Sequence, residues 1–395
     1  MLEGLDDIQW DQLEHAYGTA EDVPDKIRAL LSRDEAERRW AQEMLIMGAL
    51  HQGSVYSSTA HLVQFLIEML HSPDTPDRAW LLEYLANVAG GAYGRTEYLE
   101  ENHDHVVQDH IQRLKWPETR ARQEIAHELG TLAMAKQEVQ KGIELYVAML
   151  DERDDARRLA ATGLLLNCRE YHRRVSSRFS KMAGSDPDPL VRSLCLLGLG
   201  IMRAHSNQVT GIRGDEGESN LIRMAAAFSL VIGQAENTSM ETIAILSKLI
   251  ADQPESLGEL HGLHRRFLIY YGQEYITHYL HVLDTGAGEL IILPLAELYV
   301  KRQGYGFLLE TLLHLAFGDQ PLSPDATVDS LQNRQREVFD AIVQRESMWQ
   351  FSGNMDFALK DVGLFCRGRR DEMIAFLEGK RPARLPPSNL DTGGC

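Results

Sequence analysis

The chain of 395 residues is poor in cysteine, in basic charge and in long apolar runs. Its four cysteines, Cys168, Cys195, Cys366 and Cys395, include no CxxC pair. This argues against a disulfide framework and points to a reduced, cytoplasmic chain. Cys395, at the end of the segment DTGGC, reads as an exposed thiol at a chain end without a role. Lys and Arg total 40 against 58 Asp and Glu, a net charge of −18. That balance opposes sequence-independent nucleic-acid binding, which relies on cations that neutralise phosphates. It favours a basic protein partner instead. The longest apolar stretch, Leu290–Val300, is too short to span a bilayer and contains Pro294 and Glu297. The opening residues MLEGLDDIQWDQ are acidic, so no secretory leader is expected.

Catalytic signatures are missing as well. There is no GxxxxGK[ST] loop, no strand–GxGxxG–helix unit and no GxSxG elbow. His127-Glu128 begins like a metalloprotease helix, but Thr131 stands where the second His belongs. His103, His105 and His110, the pair His261/His264 and the pair His278/His281 make no closed tetrahedral ligand set. No metal or cofactor is expected.

What is present is a recurring pattern of paired amphipathic helices. In Ser185–Met202 (SDPDPLVRSLCLLGLGIM), Ser185 and Asp186 suit a helix start and Asp188 suits the dipole. Leu190, Leu194, Leu197 and Ile201 then form one stripe, widened by Val191, Cys195, Leu196 and Leu199. An almost wholly apolar circumference implies neighbours on two sides, and Gly198 and Gly200 imply close approach to one of them. Similar pairs start near Ser32, Pro76, Thr119, Asp154 and Glu218. In the second, Gly90-Gly91 is expected to end the first helix. Arg38, Arg78, Arg120, Arg157, Arg192 and Arg223 take matching places near each first-helix start, which suggests an Asp/Arg ladder between neighbours.

The chain here resembles the HEAT-repeat family. The resemblance rests on Asp188-x-x-Val191-Arg192 with Leu196 and Leu199-Gly200, and on Asp155-Ala156-Arg157-Arg158-x-Ala160-Ala161 and Leu221-Ile222-Arg223-x-Ala225-Ala226. His15–Pro24 and His51–Ala60 also look like segments of bacterial HEAT-repeat proteins of undefined role. The family implies an all-α fold, an α-solenoid of stacked helix–turn–helix repeats in a curved superhelix, used mostly for protein–protein contact. Some members bind DNA or assist chromophore attachment, so the fold alone does not select a function.

Four segments are expected: capping helices over 1–31, the repeat array over 32–256, divergent repeats and a cap over 257–378, and a disordered tail over 379–395. Arg203–Glu218 reads as an insertion. In the divergent part, helices are expected at Phe267–Leu283, Glu289–Lys301, Gly306–Phe317, Val328–Trp349, Phe357–Cys366 and Arg370–Leu377.

The expected function is a non-enzymatic scaffold that binds a protein on its concave face or on a rim of inter-helix turns. The Gly/Tyr-rich segments supply the rim candidates: Tyr17, His51, Gln52, Tyr56, Tyr93 and Arg95. The same residues also suit turns that merely close each pair. Two alternatives stand beside this reading. One is a catalytic or enzyme-associated solenoid, lyase-type or nucleic-acid-repair-like. The other is nucleic-acid binding through Arg367, Arg369, Arg370, Lys380, Arg381 and Arg384.

Overall fold

The computed structural model describes residues 1–204, 207–268, 275–283, 285–350 and 352–383. The fold is all-α: the one sheet among them is a two-residue hairpin, β1 (Glu14–His15) with β2 (Gly18–Thr19). The chain forms two compact units, Met1–Gly198 with Leu263–Glu274, and Leu199–Gly262 with Tyr275–Cys395.

In the first unit the helices are α1 (Val23–Ala29), α2 (Glu35–Ala49), α3 (Ser57–His71), α4 (Arg78–Glu101), α5 (His103–Leu114), α6 (Glu118–Gln140), α7 (Ile143–Met149), α8 (Asp155–Asn167), α9 (His172–Ser185) and the start of α10 (Pro189–Ile201). Their starts follow from side-chain caps. The Asp34 carboxylate accepts from the Ala36 amide at 2.8 Å, Asp154 from Arg157 at 2.9 Å, and Asp188 from Leu190 and Val191 at 2.7 and 2.9 Å. Asp188, and neither Ser185 nor Asp186, is therefore the cap of the stretch read first.

Four residues after each of these caps stands an arginine: Arg38, Arg158 and Arg192. Each reaches back to carbonyls near the end of the preceding helix. Arg38 Nη1 donates to the Ser32 carbonyl at 3.1 Å, Arg158 Nη1 to Glu152 at 2.9 Å, and Arg192 Nε to Ala183 at 2.9 Å. Arg78 does the same to Leu70 at 2.8 Å. These carbonyls have no intrahelical donor and carry the negative end of the helix dipole, so a guanidinium satisfies both needs. Three of these arginines also bind a carboxylate at the start of a later helix, that of α4, α8 or α10. Arg38 pairs with Asp77 at 2.8 Å, Arg78 with Glu152 at 2.8 Å, and Arg158 bidentately with Asp186 at 2.9 Å. The expected ladder exists with two corrections. Its fourth member is Arg158, set by the cap, while Arg157 pairs locally with Glu152. Arg120 is not in it and lies 4.3 Å over the Trp116 ring.

That second correction has a structural cause. Helix α4 packs directly on α8 and also on α6, which in turn packs on α3. The partner of α4 is thus the long α6, and α5 is inserted between them. The insertion has its own apolar cluster: Ala92, Leu99, Val106, Val107, Ala121, Ile125 and Leu132. The pair expected to begin at Thr119 is therefore not a separate pair. Gly90 and Gly91 do not end a helix either; they are buried in the middle of α4. Each Gly costs about 1 kcal/mol of helix propensity, which burial of this helix on several sides offsets.

The second unit contains the rest of α10, α11 (Asn207–Gly214), α12 (Asn220–Gln234), α13 (Met240–Asp252), most of α14 (Pro254–Phe267), α15 (Thr285–Lys301), α16 (Leu308–Phe317), α17 (Asn333–Gln344), α18 (Ser352–Asp361) and α19 (Arg370–Leu377). Helices α11, α13, α15, α17 and α19 pack one on the next, and α16 packs on α15, α17 and α18. Arginines again close helix ends. Arg223, four residues after the cap Ser219, donates to the Arg213 carbonyl at 3.3 Å, Arg334 to Ala316 at 3.0 Å and Arg370 to Val343 at 2.7 Å. The segment read as an insertion carries helix α11, whose Arg213 pairs with Glu241 at 2.9 Å. The helix expected over Phe267–Leu283 is instead the end of α14 and a 3-10 turn at Ile276–Val282, with residues 269–274 outside the described set. Asn333–Gln344 and Ser352–Asp361 replace the longer and later spans expected there.

Glycines fix two close approaches. A Cβ on Gly200 would lie 2.6 Å from the Ser229 carbonyl oxygen, and one on Gly163 would lie 2.1 Å from the Phe267 ring. Gly200→Ala is expected to cost about 1–3 kcal/mol through overpacking. Gly130→Ala, in α6 with open space around it, should instead stabilise by about 0.5–1 kcal/mol. Urea unfolding of the two variants decides whether packing or propensity governs. Arg158 and Asp186 are 8% and 6% exposed, so Arg158→Ala should destabilise by about 3–5 kcal/mol by leaving a buried carboxylate unpaired. Removing the exposed partner Arg39 should cost under about 0.5 kcal/mol in the same assay.

Candidate interaction surfaces

The structure brings some rim candidates together and separates others. The β1–β2 hairpin presents Tyr17, whose ring meets His51 edge-on at 5.5 Å with its hydroxyl 3.4 Å from Nδ1. Beneath it the Tyr17 amide donates to His15 Nδ1 at 3.0 Å, so the other nitrogen, Nε2, carries the proton that faces Asp22 at 3.1 Å. Tyr56 precedes α3, where its amide donates to Thr59 Oγ1 at 2.9 Å. The Gln52 side chain lies outside the described residues. Tyr93 and Arg95 are on α4 and not on a turn. Tyr93 is 7% exposed, with the Lys136 ammonium 4.0 Å from its ring centre and Gln140 donating to its hydroxyl at 3.3 Å. Arg95 grips Glu128 with two bonds of 2.7 and 3.2 Å and lies over Tyr98. With Gly53–Val55 these two side chains line a cavity of about 290 Å³. Arg95 is thus already neutralised from within.

Four of the C-terminal cations are committed, while Arg367 is exposed with no ion pair among the described residues. Arg369 pairs with Asp371 at 2.6 Å, Arg370 with Glu346 at 3.2 Å and Lys380 with Glu378 at 2.7 Å. Arg381 is buried against Glu372 at 3.0 Å and the Ala383 carbonyl. Residues 380–383, placed in the expected tail, are docked: the Ala383 amide donates to Ala326 at 2.8 Å. Arg384 lies outside the described residues. The three described cysteines are buried thiols, and burial pushes Cys168 and Cys366 up to about 12 and Cys195 higher still. None of them is poised as a nucleophile.

A cluster of imidazoles in the second unit adds His314 to the spaced pair His278/His281, with His261 nearby. His281 stacks on His314 at 4.0 Å and lies 4.8 Å from His278, while His261 stacks on Phe307 at 3.9 Å. His278 faces Glu310 at 3.1 Å, and His314 Nε2 donates to the His281 carbonyl at 3.1 Å. Among the described residues no group of three or more His, Cys, Asp or Glu is arranged to hold a metal ion.

An open trough of about 460 Å³ runs between α13 and α15. One wall is Ala244, Ser247, Lys248 and Ala251; the other is Leu290, Leu293, Pro294, Glu297 and Lys301. Both sets follow helical spacing, so each wall is one face of one helix. Leu290 and Leu293 are 43% and 52% exposed there. Pro294 lacks the amide that would bond the Leu290 carbonyl four residues back. The Ser247 hydroxyl supplies the donor from the facing helix at 2.6 Å. Cations cluster at one end, where Lys301 pairs with Glu297 at 2.7 Å and Arg302 with Glu255 at 3.0 Å. Among the described residues no helix is long and apolar enough to cross a membrane.

No known protein family, no characterised protein and no solved structure matches the chain.

Burial, with the rings of His314 and His278 beside it, pushes the His281 imidazole down to about 3. Between that value and its ordinary 6.5 the unfolded chain binds a proton the folded chain does not. Stability should therefore fall as pH drops through this window. His281→Phe is expected to flatten the decline, measured by urea unfolding between pH 7 and pH 4; an unchanged slope contradicts it.

Proposed function

We propose that the chain is a non-enzymatic scaffold of HEAT-like α-solenoid type that holds a protein partner. The reading rests chiefly on the trough between α13 and α15, where Leu290 and Leu293 stand one turn apart on one helix face and are both open to solvent. The successive side-by-side packing of α11, α13, α15, α17 and α19 supports the solenoid assignment. The rim of turns is a weaker candidate, because Tyr93 is buried and Arg95 is paired with Glu128. Nucleic-acid binding is disfavoured by the internal pairing of Arg369, Arg370, Lys380 and Arg381.

The test is affinity purification with the full chain as bait and quantitative mass spectrometry of what it retains. A protein retained in near-equimolar amount is expected. Retention of no protein by bait that is folded by circular dichroism overturns the reading.

A further inference from the structure

Resting on that reading, we propose that the α13–α15 trough is a docking groove for an acidic, amphipathic α-helix of a protein partner. The walls define the shape of the occupant. Ser247 lies beside Leu290, and Pro254 lies beside Tyr305 and close to Arg302, so α13 and α15 run in the same direction. The trough between them therefore runs along the length of both helices. From Leu290 to Lys301 it extends about 16 Å, at 1.5 Å per residue, or three turns of an occupying helix. The α13 wall repeats at i, i+3, i+4 and i+7 with two alanines, and α15 offers leucines at i and i+3. A small-residue face opposite a large one leaves holes for the side chains of a third helix at the same spacing. An extended peptide has a period of two and needs backbone partners. The wall carbonyl freed by Pro294 is already taken by Ser247.

Charge sets the flank. The chain carries −18 overall, yet the trough is lined by Lys248, Lys301 and Arg302 against the single carboxylate Glu297. Lys301 and Arg302 already have internal partners. Lys248 has none among the described residues, so it is the cation left for a carboxylate of the occupant. The whole-chain charge favours a basic partner, but the local charge at this surface favours an acidic one.

The experiment is a display selection against the full chain with a library of helical peptides that have a fixed leucine stripe and randomised flanks. Enriched peptides should carry Asp or Glu on one flank. They should bind Leu293→Asp at least tenfold more weakly, and selection against Lys248→Glu should shift the flank preference to Lys or Arg. Ala244→Arg, which blocks the trough from an exposed position, provides the same readout should Leu293→Asp fail to fold. Enriched peptides that bind both blocking variants undiminished, or show no charge preference, overturn the proposal. So does a chain that self-associates in sedimentation velocity and becomes monomeric on Leu293→Asp, since a second copy would then be the occupant. An equimolar protein partner retained equally by wild type and Leu293→Asp leaves the scaffold reading standing and removes only this one.

Discussion

The structure depends on how helix ends are closed where water is displaced. Every helix ends in carbonyls that no amide of its own can reach. When the next helix packs over that end, the deficit must be met from within. Here it is met by arginine. Side chains on a helix lean toward its N-terminus, so a residue one turn beyond the cap sends its long stem back over the connecting loop. Arg38, Arg158, Arg192 and Arg223 all stand four residues after a capping Asp or Ser and reach the preceding helix end in this way. The planar fork has donors to spare, so Arg38 and Arg158 also take a carboxylate at the start of the next helix but one, α4 and α10. A lysine point charge offers no such fixed geometry. One residue type thereby joins three segments, and cap and guanidinium together set the spacing of the helices.

Much of this was legible in the sequence, and the failures have definite causes. Apolar stripes and caps located most helices, because burial on two sides leaves a near-continuous hydrophobic run such as Leu194–Leu199. The ladder was visible as a set of arginines, but its register was not. The interval from Arg78 to Arg158 is 80 residues. It divides neatly into two ordinary repeats, and Arg120 falls near the midpoint. Only tertiary packing reveals that α6 serves as the partner of α4 and that α5 is added between them. Gly90 and Gly91 misled for a related reason: glycine marks a helix stop by propensity, yet α4 is held by packing along its length, so local preference is overridden.

The surface was the least legible part. Tyr93 and Arg95 have the composition of a binding rim, but Tyr93 is buried beside Lys136 and Arg95 is consumed by Glu128. Neither fact follows from residue type. The trough was hidden in the opposite way. Leu290–Val300 is apolar except for Glu297, so its pattern alone does not show how far Leu290 and Leu293 are left uncovered. The one local signal was Pro294, which strands a carbonyl and therefore demands a donor from another element.

That donor has a mechanical consequence. Because the Ser247 hydroxyl of α13 closes the gap left by Pro294 in α15, the two walls of the trough are cross-braced at its Leu290 end. Widening the gap would break a bond that the proline itself cannot replace. A visitor therefore meets a slot of set width, and little freedom remains to be lost on its arrival.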